Sequence, residues 1–364
     1  MPDRRVSGRR VLLAYAPAMS SAPSSPRVGV VIVNFNGGTM IARALECVRR
    51  QTTAPQRVVV VDNKSTDGSL DLVRDAHPWV EVIEPGENTG FARGNNIGIR
   101  ALDDCEWIAL LNPDAYPEPD WLATLLGTTR RRADCSFFAS LLLDATDPAT
   151  LDGAGDAYHV SGLAWRRDHG RPASDVGLAE REVFGPCAAA AMYRRSALLE
   201  VGLFDERWFC YFEDVDLAFR LRLAGHRCLL VPGSRVLHEG SATTGRESPF
   251  TLYHSHRNLV WTWLRDMPAP LLIRSTPHFL LTTALAIGWY GSRGELRTLL
   301  RAKRDGFAAA PRLLLERRRL HRDARIGWQD LRALMERGRS GYLTAGGRAR
   351  DELGRSRDGR ARDG

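Results

Sequence analysis

A doubly wound α/β sheet followed by a helical extension is the fold class this sequence predicts, and three observations predict it. Short, continuous apolar runs alternate with segments of helical periodicity. Each run ends in a loop rich in Asn, Asp and Gly, which gathers polar groups along one edge. With 44% hydrophobic and 26% charged residues among 364, the composition is that of a soluble globular protein able to bury a substantial core.

Residues 1–27 hold five arginines and one aspartate, and their apolar patch at 11–15 is cut by Pro17. They are expected to form a disordered basic lead, too short in its apolar part for a signal peptide, with Met19 as an alternative start. The run 28–33 reads as a central parallel strand covered on both faces. It stops at Asn34, and Ile41, Ala44, Leu45 and Val48 then fall on one helical face. A second strand at 57–61 ends in Asp62, and Leu70, Leu72 and Val73 open the next helix. A third strand at 80–84 leads through Asn88, Arg93 and Asn96 into a helix running to Leu102.

The fourth strand, 107–111, stops abruptly at Asn112-Pro113-Asp114, because proline cannot continue a central strand. In open α/β sheets the carboxyl ends of the strands are where ligands bind. A carboxylate delivered there can hold a divalent cation and, through it, a diphosphate; the same tripeptide is also an ordinary turn. Asp62 can accept hydrogen bonds from a nucleobase or ribose, or cap its own loop.

Residues 117–120 open a helix containing Trp121, Leu122, Leu125 and Leu126. The stretch 144–182 has no periodicity and reads as an irregular excursion around a site, with His159 and His169 expected at the surface. A strand of small residues follows at 184–193. Behind Trp208, Phe209, Tyr211 and Phe212, the acids Glu213, Asp214 and Asp216 sit where a helix begins, which Leu217, Leu221 and Ala224 continue to Gly225. One or two acids in a first turn complement the helix dipole. Three beside so many aromatics imply crowding and burial that raise a carboxyl pKa, as a general base requires. A short strand at 228–232 leads to His238, either a metal ligand or a loop histidine.

Several function classes are disfavoured. Gly90, Gly94 and Gly98 stand four apart, with no GxGxxG and no GxxxxGK[ST], against a dinucleotide oxidoreductase or P-loop NTPase. The net charge of +8 gathers at the two ends and leaves 28–300 mildly acidic, against a nucleic-acid-binding core. Six cysteines without CxxC pairing read as buried thiols in a reducing cytosol. The apolar run 277–290 is shorter than the roughly 20 residues of a spanning helix. With Arg293, Arg297, Arg301, Lys303 and Arg304 behind it, it suits a helix lying on an anionic bilayer, hence a peripheral place at the inner face of the plasma membrane. From 336 onward Gly, Arg and Asp dominate, and a disordered basic tail is expected.

Taken together, 30–36, 60–69, 87–96, 110–115, 202–225 and 236–241 resemble the family 2 glycosyltransferases of the GT-A fold, in their rhamnosyltransferase-like branch, over about 28–265. The resemblance implies a Rossmann-like mixed sheet and an inverting, metal-dependent transfer. By position it places Asn34, Asp62, Asn88, Arg93, Asn96 and Asn112 at the nucleotide-sugar. It makes Asp114 the last acid of a DxD-type motif, His238 its partner on Mg2+ or Mn2+, and Asp214 the base beside Glu213. Asn112 departs from the two-acid form of the motif. The implied donor is dTDP-L-rhamnose, with a UDP-linked galactofuranose or hexose as the alternative; the acceptor is a lipid-linked or cell-surface glycan. Residues 266–335 become a helical, membrane-associating extension. A processive synthase is disfavoured by the lack of QxxRW, and a nucleotidyltransferase by the lack of a basic phosphate loop at 34–38. A silent nucleotide-sugar-binding scaffold at the membrane has no use for Glu213, Asp214 and Asp114 in one cleft.

Overall fold

The computed structural model describes residues 26–240 and 248–337. The expected lead up to residue 25, the tail from 338 and Ser241 lie outside the described residues. Strands β1 (Val28–Asn34), β2 (Arg57–Asp62), β3 (Glu81–Ile83) and β4 (Trp107–Leu111) pair in parallel in the spatial order β3-β2-β1-β4. Every residue of β1 and β4 is buried, which is why the sequence shows unbroken apolar runs there. Helices α1 (Met40–Arg49), α2 (Ser69–Ala76) and α3 (Gly90–Ala101) make the connections. Strand order reverses between β1 and β4, so their carboxyl ends flank a crevice.

The glycines four apart are a packing device. A Cβ on Gly98 would stand 2.4 Å from Val31 Cγ1, and one on Gly94 2.8 Å from Val33 Cγ1. Their absence lets α3 lie directly on β1, beside the crevice.

The second half of the sheet is mixed. It follows β5 (Ala115–Pro117) and α4 (Trp121–Arg131) with β6 (Phe137–Asp144), β7 (Leu151–Gly153) and a separate hairpin, β8 (Asp156–Tyr158) and β9 (Ala164–Arg166). After β10 (Arg181–Glu182), strand β11 (Ala190–Arg194) runs antiparallel between β4 and β6. Helices α5 (Arg195–Glu200) and α6 (Glu213–Leu223) lead to β12 (Cys228–His238). This last strand is longer than the expected 228–232: it passes through Pro232, where its pairing with β6 shifts between Val231 and Arg235, and continues to His238. Proline is tolerated there because the ladder is already interrupted.

Helices α7 (Pro249–Asp266), α8 (Ala269–Gly291), α9 (Leu296–Ala308), α10 (Ala310–Arg322) and α11 (Trp328–Ala333) complete the chain. They share the core of the sheet: Phe279, Leu313 and Leu331 belong to the same buried cluster as Val31 and Phe137. Glu336 N donates to Tyr158 O at 2.8 Å, tying the chain back to the β8–β9 hairpin. The 277–290 run is part of a helix of 23 residues, long and apolar enough by length and composition to cross a membrane. One stripe of it is nevertheless taken by protein, since Leu271, Ser275 and Phe279 are buried, Phe279 stacks on Trp263 at 3.9 Å, and Trp263 Nε1 donates to Ser275 Oγ at 3.3 Å. All six cysteines are free thiols.

Candidate active site

Asn112 N donates to Ala189 O at 2.8 Å and Ala115 N to Asn112 O at 3.1 Å, so Asn112-Pro113-Asp114 is a turn pinned between β4 and β5. That turn holds Asp114, only 5% exposed, at the carboxyl edge of β4. Ala115 pairs with His238 at the end of β12, which brings the histidine alongside. His238 Nε2 lies 3.5 Å from Asp114 Oδ1, and its Nδ1 lies 2.7 Å from Asp152 Oδ2. Arg166 donates to that same Oδ2, and His169 Nδ1 stands 2.8 Å from Asp152 O. Burial alone would raise the Asp152 carboxyl; the His238 hydrogen bond and the Arg166 and His169 charges outweigh it and hold it at about 2. Burial likewise opposes charge on His238, but Asp114 and Asp152 together push it up to about 9.

Asp114 and His238 fit a divalent cation. Among the described residues the buried Nε2 has no partner nearer than Asp114 Oδ1, which faces it at 3.5 Å. Among the described residues no set of three His, Cys, Asp or Glu could hold a metal alone. The remaining positions would belong to phosphate oxygens and water, the usual manner of Mg2+ at nucleotides.

The acids of α6 are presented by a strained loop. Phe209, Tyr211 and Phe212 have φ of 64°, 64° and 67°, left-handed values that cost energy for residues with a Cβ. The surroundings fix them: Asn258 Nδ2, from α7, reaches the carbonyls of Trp208, Cys210 and Tyr211 at 2.9, 2.9 and 2.7 Å. From the other side, Ala92 N of α3 donates to Phe209 O at 3.0 Å. Asp214 Oδ1 then accepts from Val215 N at 2.8 Å and its Oδ2 from Ala188 N at 3.4 Å. Glu213 is 6% exposed, and its Oε2 has no hydrogen-bond partner among the described residues. Burial, then the Asp214 charge, lifts the Glu213 carboxyl well above the usual range; burial also raises Asp214, against the pull of its backbone donors. Asp216 leaves the contest. It is fully buried under α7, taking Arg220 Nη2 at 2.7 Å and Arg265 as well.

A cleft of about 800 Å³ joins these pieces. Of the residues the sequence singles out, Asn88, Asn112, Asp114, Glu213, Asp214 and His238 line it. The other four are placed elsewhere. Asn34 is fully buried and gives its amide to Asp62 Oδ1 at 2.8 Å and Ser69 Oγ at 2.9 Å, while Asp62 Oδ2 accepts from Ser65 N at 2.9 Å. The pair shapes the loop after β2, and their neighbours Val33, Phe35 and Asn63 reach the lining instead. Asn96 bonds Phe204 N at 3.0 Å and Phe204 O at 2.9 Å, holding the segment that leads to the acids. Arg93 stays outside, bonded to Glu87 at 2.8 Å.

The irregular excursion supplies what the sequence does not single out: Asp156, Trp165 and Arg166 on the lining, and Asp152 behind His238. The clustering of Asp and Arg in an aperiodic stretch is the only signal for them. Neither histidine of that stretch is a surface residue. His159 is fully buried with Nδ1 2.8 Å from Ser161 Oγ, and His169 is half-buried against Asp152, because the hairpin folds beneath the C-terminal helices.

The profile of the family described as glycosyl transferase family 2 matches residues 29–202. An N-acetylglucosaminyl-diphospho-decaprenol L-rhamnosyltransferase of Mycobacterium tuberculosis is 30% identical over 258 residues, 65% of this chain and 83% of the relative. The galactofuranosyltransferase GlfT1 of the same species is 26% identical over 204 residues, 54% of this chain and 65% of its own. Among solved structures, GalNAc-T7 with UDP, GalNAc and Mn2+ superposes with a TM-score of 0.53 at 19% identity, covering 66% of this chain and 49% of its own, so this chain spans about half of that structure. The mannosyltransferase PcManGT of Pyrobaculum calidifontis, in complex with GDP-Man and Mn2+, gives 0.50 at 20% identity over 82% and 86%. These likenesses show a GT-A fold.

Proposed function

This chain belongs to glycosyl transferase family 2 and is a rhamnosyltransferase-like glycosyltransferase, and from that premise we propose that it moves L-rhamnose from dTDP-rhamnose to a lipid-linked glycan acceptor, with inversion. The observation that carries the reading is the single cleft lined both by Asp114 and His238 and by the buried Glu213–Asp214 pair. The rhamnosyltransferase relative, whose name specifies a diphospho-decaprenol compound, supports the donor and acceptor classes.

In this reading the nucleotide enters at the carboxyl ends of β1 and β4, past Asn63 and Asn88. Asp114 and His238 would hold Mg2+ or Mn2+, which when bound neutralises the charge gathering on the departing diphosphate. Asp214, aimed by Val215 N and Ala188 N, takes the proton of the acceptor hydroxyl. The freed oxygen pair forms the new bond to the anomeric carbon as the bond to the nucleoside diphosphate breaks on the opposite face. Glu213, with its raised pKa, retains a proton beside Asp214 and keeps the two from repelling as a double anion. The loop Phe209–Phe212 covers the reacting end and limits water.

Titration calorimetry with dTDP, UDP and GDP, with and without Mg2+ or Mn2+, on wild type and Asp114→Ala, tests the assignment. Metal-dependent dTDP binding lost in Asp114→Ala is expected. A preference for UDP moves the donor to galactofuranose or another hexose, the reading the GlfT1 likeness favours. No binding of any nucleotide overturns the transferase site as drawn.

The acceptor class calls for a membrane nearby. The outward side of α8 exposes Ile273, Leu280, Leu281 and Leu285, and Arg293, Arg297, Arg301 and Arg304 follow it on the surface. In this reading α8, whose other side is packed on Trp263, lies in the plane of the inner leaflet and not across it.

A further inference from the structure

Asp152 is on no catalytic motif, lies 86 residues from the histidine it touches and is 3% exposed. Such a carboxylate needs a reason to be buried, and its surroundings supply one. Its Oδ2 faces His238 Nδ1 at 2.7 Å, Arg166 donates to the same oxygen, and His169 closes on its backbone carbonyl. An ionised carboxylate only accepts hydrogen bonds, so Nδ1 must carry the hydrogen. When a cation takes the place of the second ring proton, Nδ1 keeps its hydrogen on Asp152 and Nε2, turned toward Asp114 at 3.5 Å, is the nitrogen that presents a lone pair. Without Asp152 the ring could rotate or take the opposite tautomer, and the nitrogen facing Asp114 would carry the hydrogen.

We infer that Asp152 is a positioning residue for the metal site: it fixes the tautomer and orientation of His238 so that Nε2 serves as a ligand beside Asp114, with Arg166 and His169 holding Asp152 in turn. This rests on the reading of His238 as a metal ligand. Second partners of this kind, hydrogen-bonded to the far nitrogen of a ligating histidine, govern affinity as strongly as some ligands. The irregular excursion, through Asp152 and Arg166, thus carries the support that a one-acid motif, with Asn112 in place of the second acid, otherwise lacks.

The test is Mn2+ affinity, read from the loss of the free-ion EPR signal, for the full chain saturated with UDP or dTDP, whichever it binds better. Asp152→Asn is expected to weaken Mn2+ by about 10–100-fold, while metal-free nucleotide affinity stays at the wild-type value. His238→Ala should weaken it at least as much, and the double variant no further, because the two act through one ligand. If His238→Ala loses Mn2+ and Asp152→Asn binds it as wild type does, the inference is overturned while the metal site stands. If neither variant changes Mn2+ affinity, the metal-site reading itself fails and takes the inference with it. A 15N spectrum of the wild-type Mg2+–nucleotide complex gives an answer independent of any variant's folding: hydrogen on His238 Nδ1 is expected, and hydrogen on Nε2 overturns the proposal.

Discussion

Glu213 holds a carboxyl with one buried oxygen that has no partner among the described residues, next to a second buried acid, and nothing about stability recommends that arrangement. The raised pKa makes the sign explicit. The folded state binds a proton more tightly than the unfolded chain, so stability declines as pH climbs from the unfolded glutamate value of about 4.3 toward the raised folded value, and stays lower above it. Glu213→Gln removes that penalty. Its melting temperature should rise at neutral pH by an amount equivalent to about 1–3 kcal/mol, with a smaller gain near the acid end, while turnover drops. Asp214→Asn should cut kcat by about 10²–10⁴-fold, the usual weight of a general base, with nucleotide binding retained. For wild type the acid limb of kcat/KM should lie above the ordinary carboxylate range, since a base with a raised pKa must first lose its proton; a limb at or below about 4 would remove Asp214 from the role. Asp114, Asp214 and His238 stood out in the sequence at a strand end, a helix start and the end of a strand, and all three line the cleft. Asp152 and Arg166 did not stand out, since their meaning lies in partners far along the chain and no periodicity marks them.

The unit that presents the acids is the loop between Trp208 and Glu213 together with the helix that clamps it. One side chain, Asn258, reaches three of its carbonyls, and those carbonyls belong to a turn with three left-handed residues bearing side chains. Asn258→Ala leaves these acceptors without their donor in a buried place. A loss of about 2–3 kcal/mol is expected at roughly 1 kcal/mol per hydrogen bond, measured by denaturant unfolding. Because the loop sets where Asp214 points, kcat should fall at least tenfold while metal and nucleotide affinities, set on the β1–β4 side, hold. Equal losses in both would show that the loop supports the whole cleft and not the base alone. The parallel strands were readable because burial on both faces forces continuous apolar runs. The far part of β12 was hidden by Pro232, which reads as an end and in fact sits where the β6 ladder is broken. Gly90, Gly94 and Gly98 were visible as a pattern, but that Gly94 and Gly98 sit against Val33 and Val31, and Gly90 against Phe209 of the acid loop, required the fold.

At the scale of the molecule the C-terminal helices are continuous with the catalytic core, and a buried ionic cluster shows how. Asp216 of α6, Arg265 of α7 and Asp205 ahead of the acid loop meet there, with Arg265 Nη1 2.6 Å from Asp205 Oδ2. The helix that carries Glu213 and Asp214 is thus bolted to α7, and α7 to α8 through Trp263 and Phe279. A helix held this way presents only its outer side to a bilayer, and that side together with α9 and α10 exposes Leu280, Leu281, Leu285, Leu300 and Leu315 near the exposed arginines. The sequence showed the apolar run but not its length, because residues 269–276 are only intermittently apolar. If this face docks on lipid, two forces add: apolar burial, and about 1 kcal/mol per arginine close to an anionic surface. The full chain should co-sediment with vesicles containing phosphatidylglycerol, bind neutral phosphatidylcholine vesicles more weakly, and lose the difference at high salt. Leu280→Ser with Leu281→Ser and Leu285→Ser should abolish sedimentation with either vesicle while leaving dTDP affinity unchanged, since none of the three lines the cleft. Undiminished binding by the triple variant would remove α8 from the membrane and leave it as a helix of the protein core.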